Sequence, residues 1–150
     1  MGGIQGQAQA TIAAPPAACV AVLTDFAAYP EWYPFVEEVA VTDSDPERGT
    51  SVIEALTRLP VKTIRYQLCY TVEGTTGLRG EYLAGDLKSL SVNWRLELAS
   101  AGSTDVTLSM KGEVGWVLDR LLTPVRDAVR RELVDDAVAA LKRRTEEAPS

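Results

Sequence analysis

The sequence predicts an α+β fold in which a long C-terminal helix covers one face of an antiparallel sheet. Seven segments alternate apolar and polar residues, as strands with one buried face do. Short turn sequences join most of these segments, which favours antiparallel neighbours. The segment Val117–Arg144 instead carries apolar residues three and four positions apart, the period of an amphipathic helix. We therefore expect about six to seven strands in the order β-α-α-β-β-β-β-β-β-α.

The first part of the chain predicts one strand and two short helices. Between residues 4 and 12, small or apolar residues alternate with glutamine and threonine, which indicates a strand with one polar face. Ala14-Pro15-Pro16 ends this strand, and proline suits the first turn of the helix predicted over Ala17–Leu23. The stretch from Thr24 to Phe35 is rich in aromatic residues and contains two prolines, so it predicts one or two helical turns and a loop.

The central part of the chain predicts the remaining strands. Val36–Thr42 is followed by the turn sequence DSDPERG over Asp43–Gly49. Five more strand-like segments follow with only short connections: Ser51–Leu59, Val61–Glu73, Leu78–Leu83, Leu87–Leu98 and Asp105–Trp116. This series is typical of an antiparallel meander with one solvated face, whose other face is left for the C-terminal helix.

The C-terminal helix contains Thr123-Pro124 within its apolar period. Proline lacks an N–H and fixes φ, so it fits the first turn of a helix better than the interior. Two interpretations follow: Leu118–Leu122 is a lead-in turn with Thr123 as the N-cap, or the helix is continuous and kinked. We expect a loose tail over Thr145–Ser150 and a single domain over residues 1–150.

Composition limits the classes of partner and compartment. The net charge of −6 argues against nucleic acid as a partner. No apolar run is long enough to span a bilayer, so we expect no stable membrane insertion. No signal-peptide pattern opens the chain, and Cys19 and Cys69 form no spaced cluster, which favours a reducing, cytoplasmic location. We expect a monomer or a homodimer.

Residues that commonly carry catalysis are scarce. The chain has no histidine, which excludes imidazole acid–base catalysis and histidine-ligated metal sites. It also lacks a glycine-rich phosphate loop and a nucleophile elbow. Glu54 and Arg58 share a strand face; they are either an inward pair able to bind a polar ligand group or, as we favour, an ordinary surface pair. We expect no catalytic residue, no metal and no cofactor.

Three stretches of the chain resemble a known family. In VAVLTDFAAYPEWYPFVEEVAV, a short helix ends in Asp-Phe and is followed by Tyr-Pro-x-Trp-x-Pro-Phe-Val over residues 29–36. Asn93-Trp94-Arg95-Leu96 lies in the sixth strand, and the chain closes with a strand, a leucine-rich turn with proline and a long Arg/Glu helix. This pattern resembles the START-like (SRPBCC) superfamily, and within it the polyketide cyclase/dehydrase and coenzyme Q-binding branch. The resemblance implies a helix-grip fold, in which a curved antiparallel sheet wraps around the C-terminal helix and encloses an apolar cavity.

Strand and helix phases predict which side chains line such a cavity. The candidates are Tyr66, Leu68, Tyr70, Tyr82, Trp94, Met110, Leu122, Val125 and Val129. For the aliphatic candidates, ordinary core packing is the favoured alternative. A buried phenol needs a hydrogen-bond partner, so the three tyrosines are either ligand contacts or bonded within the core. By resemblance, Trp32 and Tyr33 lie near the cavity mouth, where they contact a ligand or, as we favour, form an apolar plug that docks the short helices.

Two functions are consistent with these residues. The first is non-catalytic binding or transport of a hydrophobic small molecule, such as a lipid, isoprenoid, quinone or polyketide. The alternative, which the resemblance permits, is a polyketide aromatase/cyclase that shapes a poly-β-ketone chain, with Tyr66, Tyr70 or Arg58 assisting enolisation. A third interpretation, docking on another protein through the loop at residues 32–35, rests only on the aromatic residues of that loop.

Overall fold

The predicted series of strands and helices is present in the computed structural model, which describes residues 3–147. The strands are β1 (Gly3–Ile12), β2 (Val36–Asp45), β3 (Thr50–Arg58), β4 (Thr63–Glu73), β5 (Gly77–Gly85), β6 (Ser89–Ser100) and β7 (Ser103–Glu113). They form one curved antiparallel sheet in the order β1-β7-β6-β5-β4-β3-β2. The predicted α+β, helix-grip fold class is therefore confirmed.

The alternation of each strand decides which face of the sheet is buried. In β6, Val92, Trp94 and Leu96 are buried while the residues between them are exposed. On the adjacent β7, Val106 and Leu108 pair with Leu96 and Trp94 and point to the same face. One face of the sheet is therefore apolar and is covered by the helices, and the other face is solvated.

Two short helical elements connect β1 to β2. The helix α1 (Pro16–Thr24) begins directly after Pro15, and Pro16 occupies its first turn, where a missing N–H costs nothing. The second element, Phe26–Glu31, is a 3₁₀ helix with Pro30 inside it. Its aromatic residues Phe26 and Tyr29 are buried, so the segment is held to the sheet through their rings.

The chain is helical from residue 116 to 147, but not as one regular α-helix. It consists of α2 (Trp116–Leu122), a 3₁₀ turn (Thr123–Val125), α3 (Arg126–Arg130), a π-helical turn (Arg131–Asp135) and α4 (Asp136–Glu147). We refer to residues 116–147 as the C-terminal helical run. Its two irregular turns change the rotation of the apolar face relative to a regular period of 3.6 residues.

The prediction that Thr123 acts as an N-cap is wrong. Its backbone is helical, with φ −48° and ψ −48°, and its hydroxyl donates to the carbonyl of Asp119 at 2.8 Å. An N-cap residue has extended backbone and accepts from the N–H groups that follow it. The other interpretation, a continuous helical path interrupted near Pro124, describes the structure.

Two predicted element ends also differ from the structure. The last strand was expected to reach Trp116, but β7 ends at Glu113, and Trp116 begins α2 with 72 % of its surface exposed. The loose tail was expected from Thr145, but α4 continues to Glu147, and Thr145 is buried. The rest of the predicted tail, residues 148–150, lies outside the described residues.

Small residues on β1 allow the C-terminal helical run to approach the sheet closely. A Cβ added to Gly6 would stand 3.1 Å from Cγ2 of Val134 in the π-helical turn. Ala8 and Ala10 continue the same face of β1 and also pack against the core. The helical run therefore lies close to β1.

Candidate ligand-binding cavity

A cavity of about 80 Å³ lies between the apolar face of the sheet and the C-terminal helical run. Strands β3 and β4 contribute the largest part of its wall, and Leu122 and Leu133 close it from the helical run. The aliphatic members of the wall on β2, β3, β4, β6 and β7 are Val36, Val39, Ile53, Ala55, Ile64, Leu68, Leu90, Val92 and Met110. A wall of this composition favours contact with an apolar molecule.

Four tyrosines are among the residues that line the cavity. Tyr29 and Tyr33 come from the 3₁₀ helix and the residues just after it, and their rings stack with centroids 5.2 Å apart. Tyr66 and Tyr70 come from β4 and share one face of that strand because they are four residues apart. The aromatic segment between α1 and β2 and the middle of β4 thus bring four phenols together.

The hydroxyls of two of these tyrosines are bonded within the protein. The Tyr29 hydroxyl donates to the carbonyl of Leu23. The Tyr66 hydroxyl and the Thr57 hydroxyl are 2.8 Å apart and share a hydrogen bond. The hydroxyls of Tyr33 and Tyr70 form no hydrogen bond with any other of residues 3–147. Both side chains are nevertheless almost fully buried, with 8 % and 3 % of their surface exposed.

Burial keeps these phenols neutral. Removal from water raises the pKa of Tyr33, and the nearby Tyr66 raises it further. The pKa of Tyr70 is raised well above its ordinary value, first by burial and then by Tyr29, Tyr33 and Tyr66. Burial likewise raises the pKa of Tyr66, against a smaller lowering from its bond with Thr57. All four groups are therefore hydrogen-bond donors and acceptors, not anions, at neutral pH.

No charged side chain is among the residues that line the cavity in the described part of the chain. Glu54, on the opposite face of β3, forms an ion pair with Arg65 at 2.7 Å. Arg58 pairs separately with Glu37 at 2.9 Å, and 69 % of its side-chain surface is exposed. The interpretation of Glu54 and Arg58 as surface residues is thus confirmed, although each has a different partner from the one expected.

The structure brings about half of the predicted lining residues together at the cavity. They are Tyr33, Tyr66, Leu68, Tyr70, Met110 and Leu122. Four of the six come from the inward phase of β4 or from the aromatic segment before β2. Tyr33 lies in the cavity wall and also packs on Tyr29 and Trp32 of the aromatic segment.

Three predicted aromatic residues lie outside the cavity wall. Trp94 is fully buried and points to the inner face of the sheet, as expected. The Tyr33 ring packs against it edge-on, with ring centroids 6.4 Å apart. Tyr82 turns its hydroxyl to the backbone of Leu87, donating to the carbonyl at 2.7 Å and accepting from the N–H at 3.2 Å. Trp32 packs against Tyr29 and Tyr33 from outside the cavity, which matches the plug interpretation.

Two predicted helical residues, Val125 and Val129, also lie outside the wall. Val125 is in the 3₁₀ turn with φ −120°, so the regular helical rotation is lost there. Val129 is fully buried and packs in an apolar cluster with Leu118 and Leu122, of which Leu122 lines the cavity and Val129 does not. The residue of the helical run that reaches the cavity beyond the irregular turn is Leu133, which the sequence interpretation omitted.

Sequence reasoning missed several lining residues from β2, β3 and the 3₁₀ helix. Ile53, Ala55 and Thr57 form the inward phase of β3, but Val52 and Leu56 on the other phase obscured it. Tyr29 belongs to the aromatic segment that carried the family resemblance.

Neither a metal site nor a membrane-spanning helix is found among the described residues. Residues 3–147 contain no group of three or more histidine, cysteine, aspartate or glutamate residues placed to hold a metal ion. None of the helices in the described part of the chain combines the length and the apolar character needed to cross a bilayer.

Several solved structures share this fold over nearly the whole chain. The chain superposes on TTHA0849 from Thermus thermophilus with a TM-score of 0.83 at 19 % identity, covering 97 % of this chain and 99 % of that one. The ZhuI aromatase/cyclase from Streptomyces sp. R1128 matches with a TM-score of 0.76 at 17 % identity, covering 99 % of both chains. A START superfamily protein from Mycobacterium smegmatis matches with a TM-score of 0.75 at 14 % identity, covering 96 % and 98 %.

The family assignment comes from the sequence itself. No curated protein sequence matches the chain significantly. The profile of the family described as "Polyketide cyclase / dehydrase and lipid transport" matches residues 12–139. This match covers most of the chain and agrees with the resemblance in the aromatic segment, the sixth strand and the C-terminal helical run. The chain belongs to the polyketide cyclase/dehydrase and lipid transport family.

Proposed function

We propose that this protein binds a hydrophobic small molecule, such as a lipid, isoprenoid, quinone or polyketide, without catalysing a reaction. The observation that supports this most strongly is the cavity wall, which is apolar apart from hydroxyl groups and contains no charged side chain among the described residues. An apolar molecule gains about 25 cal/mol for each Å² of apolar surface that it removes from water in such a site. The family name, which includes lipid transport, is consistent with this role.

The ligand-bound form is wider than the form described above. Ligand pockets for drug-sized molecules have volumes of roughly 300–1,000 Å³. The cavity of about 80 Å³ is too small for an isoprenoid or a quinone. Uptake therefore requires displacement of wall residues, and Leu122 stands next to the 3₁₀ turn where the helical hydrogen bonds are interrupted. We expect α2 to move when a ligand enters.

The two cysteines support a cytoplasmic location for this role. Both Cys19 and Cys69 are free thiols. Cys19 is fully buried, and burial raises the pKa of its thiol, so it is a packing residue and not a nucleophile. Free cysteines are typical of a reducing compartment.

Native mass spectrometry of the protein purified from its own host tests the proposal. We expect a bound mass that is released on denaturation and that is extracted into organic solvent. Ala55→Leu is the matched variant, because it enlarges a side chain in the wall and should leave the protein without the bound mass. A protein that is empty from its host, and that shows no thermal shift with any lipid or quinone, would overturn the proposal.

A polyketide aromatase/cyclase is the second candidate function. The likeness in fold to the ZhuI aromatase/cyclase and the phenols of Tyr66 and Tyr70 in the wall favour it. Arg58 offers no support, because it points away from the cavity and pairs with Glu37. Co-expression with a minimal polyketide synthase tests this candidate, which predicts a changed regiochemistry of the aromatic product. An unchanged product profile would remove it.

A further inference from the structure

The helix α2 exposes apolar side chains on the face that points away from the core. Leu118 and Leu122 are buried on its inner face, as in an ordinary surface helix. On the outer side, Trp116, Val117 and Leu121 have 72 %, 54 % and 44 % of their surfaces exposed, and we call these three residues the α2 patch. Three of the six large apolar side chains that are exposed within residues 3–147 thus lie within two helical turns. Single exposed apolar residues are ordinary, whereas such a concentration marks an interaction surface.

Two connections of the sheet lie beside α2 at the same end of the molecule. Val61, between β3 and β4, and Leu87, between β5 and β6, pack against the apolar cluster that contains Leu118. The residue after each of them is an exposed lysine, Lys62 in the first connection and Lys88 in the second. The α2 patch therefore has lysines next to it on the neighbouring connections.

The cations at this end of the molecule are not neutralised by ion pairs. Lys62, Lys88 and Arg120 are exposed and form no ion pair within residues 3–147. The exposed acids that accompany them are Asp86 and Glu113. Cations are thus in the majority around the α2 patch, although the chain as a whole carries a net charge of −6.

An exposed tryptophan, two aliphatic side chains and surrounding cations together fit the surface of a lipid bilayer. Tryptophan prefers the boundary between headgroups and acyl chains, and lysine and arginine attract anionic headgroups. The carboxylate of Asp119 in α2 is paired with Arg126, so it does not oppose this contact. Three apolar side chains offer much less surface than the roughly 800 Å² per partner that a specific protein interface buries, which favours a bilayer over a protein partner.

We propose that the α2 patch docks this protein on the surface of a bilayer that contains anionic lipid, with Lys62, Lys88 and Arg120 beside the phosphates. The contact is peripheral and reversible, because two helical turns bury far less apolar surface than a membrane-spanning segment. Leu122, on the inner face of α2, lines the cavity, so docking brings the cavity wall next to the bilayer. The proposal concerns the outer face of α2 and does not depend on which molecule the cavity binds.

Co-sedimentation with vesicles measures the docking directly. We expect about fivefold tighter binding to vesicles with about a third phosphatidylglycerol than to vesicles of phosphatidylcholine alone, because cations outnumber acids around the patch. Trp116 also serves as an intrinsic probe, since Trp94 is fully buried and Trp32 is partly buried. On binding, the emission of Trp116 should shift to shorter wavelength and should be quenched by brominated lipid.

Substitutions in exposed positions assign the contact to α2. Trp116→Ser and Leu121→Ser should each weaken vesicle binding about tenfold, because each removes apolar surface that the bilayer covers. Arg120→Gln should weaken binding to the anionic vesicles about fivefold and leave binding to phosphatidylcholine unchanged. Leu98→Ser is the matched control, because Leu98 is similarly exposed but lies at the other end of β6, and it should bind as the unmodified protein does. Circular dichroism checks that each variant is folded.

Four results would overturn the proposal. They are no binding to either kind of vesicle, binding that the two serine substitutions in the α2 patch leave unchanged, Trp116 emission that brominated lipid does not quench, and a dimer that Trp116→Ser converts into a monomer. Light scattering detects the last, which would assign the patch to a second copy of the chain. None of these results changes the bound mass expected for protein purified from its host, so the proposed function is tested separately.

Discussion

The Tyr70 ring lies directly over Gly80 on the neighbouring strand, with its Cε1 2.7 Å from the point that a Cβ on residue 80 would occupy. The two residues are cross-strand partners in the register of β4 and β5. Glycine at this position leaves room for the ring to lie flat against the sheet. The missing side chain on β5 thus places the Tyr70 phenol at the edge of the cavity.

Gly80→Ala should displace the Tyr70 ring. The added methyl overlaps ring atoms that are themselves packed on Phe26, and such overpacking costs about 1–3 kcal/mol of unfolding free energy. We expect a lower urea midpoint. Gly115→Ala is the matched control, because a Cβ there meets no atom within 4 Å. Equal stability of the two variants would contradict the packing described for Tyr70.

Substitutions at Ala55 and Val129 should separate the cavity from the neighbouring cluster. Ala55 lines the cavity, so Ala55→Leu places added methyl groups in existing space and should abolish binding with a change in stability below about 1.5 kcal/mol. Val129 is fully buried and does not itself line the cavity, so Val129→Trp should unfold the protein and not merely block uptake. Urea unfolding measures stability, and native mass spectrometry of the protein from its own host measures binding. A folded Val129→Trp variant that has lost binding would show that Val129 faces the ligand after all.

Arg126 connects three parts of the fold, and its removal should loosen α2. Its guanidinium donates to the carbonyl of Gly3 in β1 and to the carboxylate of Asp119 in α2. We expect Arg126→Met to lower the unfolding free energy by about 1–3 kcal/mol and to raise hydrogen exchange in α2 above that in α4. Arg130→Met is the control. Within residues 3–147 the Arg130 guanidinium has one ion pair, with exposed Asp127 at 3.9 Å, so this substitution should cost less than about 0.5 kcal/mol. Uniform exchange across the helical run would count against a local role for Arg126.

Stability should fall steeply in alkali because the buried phenols must stay protonated. Burial raises the pKa of Tyr29, Tyr33 and Tyr70 in the folded protein, whereas the unfolded chain titrates near pH 10. The unfolded state therefore loses protons first, and stability that is complete below pH 10 declines above it by about 1.4 kcal/mol per pH unit for each tyrosine. Urea unfolding between about pH 8 and 11.5 measures the slope. Tyr70→Phe should make the slope shallower by the contribution of one tyrosine, about 1.4 kcal/mol per pH unit. An unfolding free energy that does not change between these pH values would contradict the buried, neutral state of the phenols.

The sheet was predictable because its strands obey a simple alternation. From β4 to β7, one phase is apolar and the other polar, so Leu68, Tyr70 and Met110 could be assigned to the inner face from the sequence. In β3 the apolar Val52 and Leu56 occupy the outer phase, and the inward set of Ile53 and Ala55 could not be distinguished. Alternation decides the face of a residue only when the outer face is polar.

The cavity itself was less predictable because alternation does not say what covers a residue. Trp94 has the inward phase expected, yet the Tyr33 ring covers it and it faces no open space. Val125 and Val129 were assigned from a regular helical period, which the 3₁₀ and π-helical turns break. These contacts form between residues that are far apart in the sequence, so local sequence patterns do not predict them.

Gly6 limits how near the C-terminal helical run can come to the sheet, although it is not part of the cavity wall. A Cβ there would stand 3.1 Å from Cγ2 of Val134, so even alanine would require the π-helical turn to give way slightly. Leu133, the neighbour of Val134 in that turn, does line the cavity. A substitution at residue 6 can therefore alter the position of a wall residue without changing any side chain that lines the cavity.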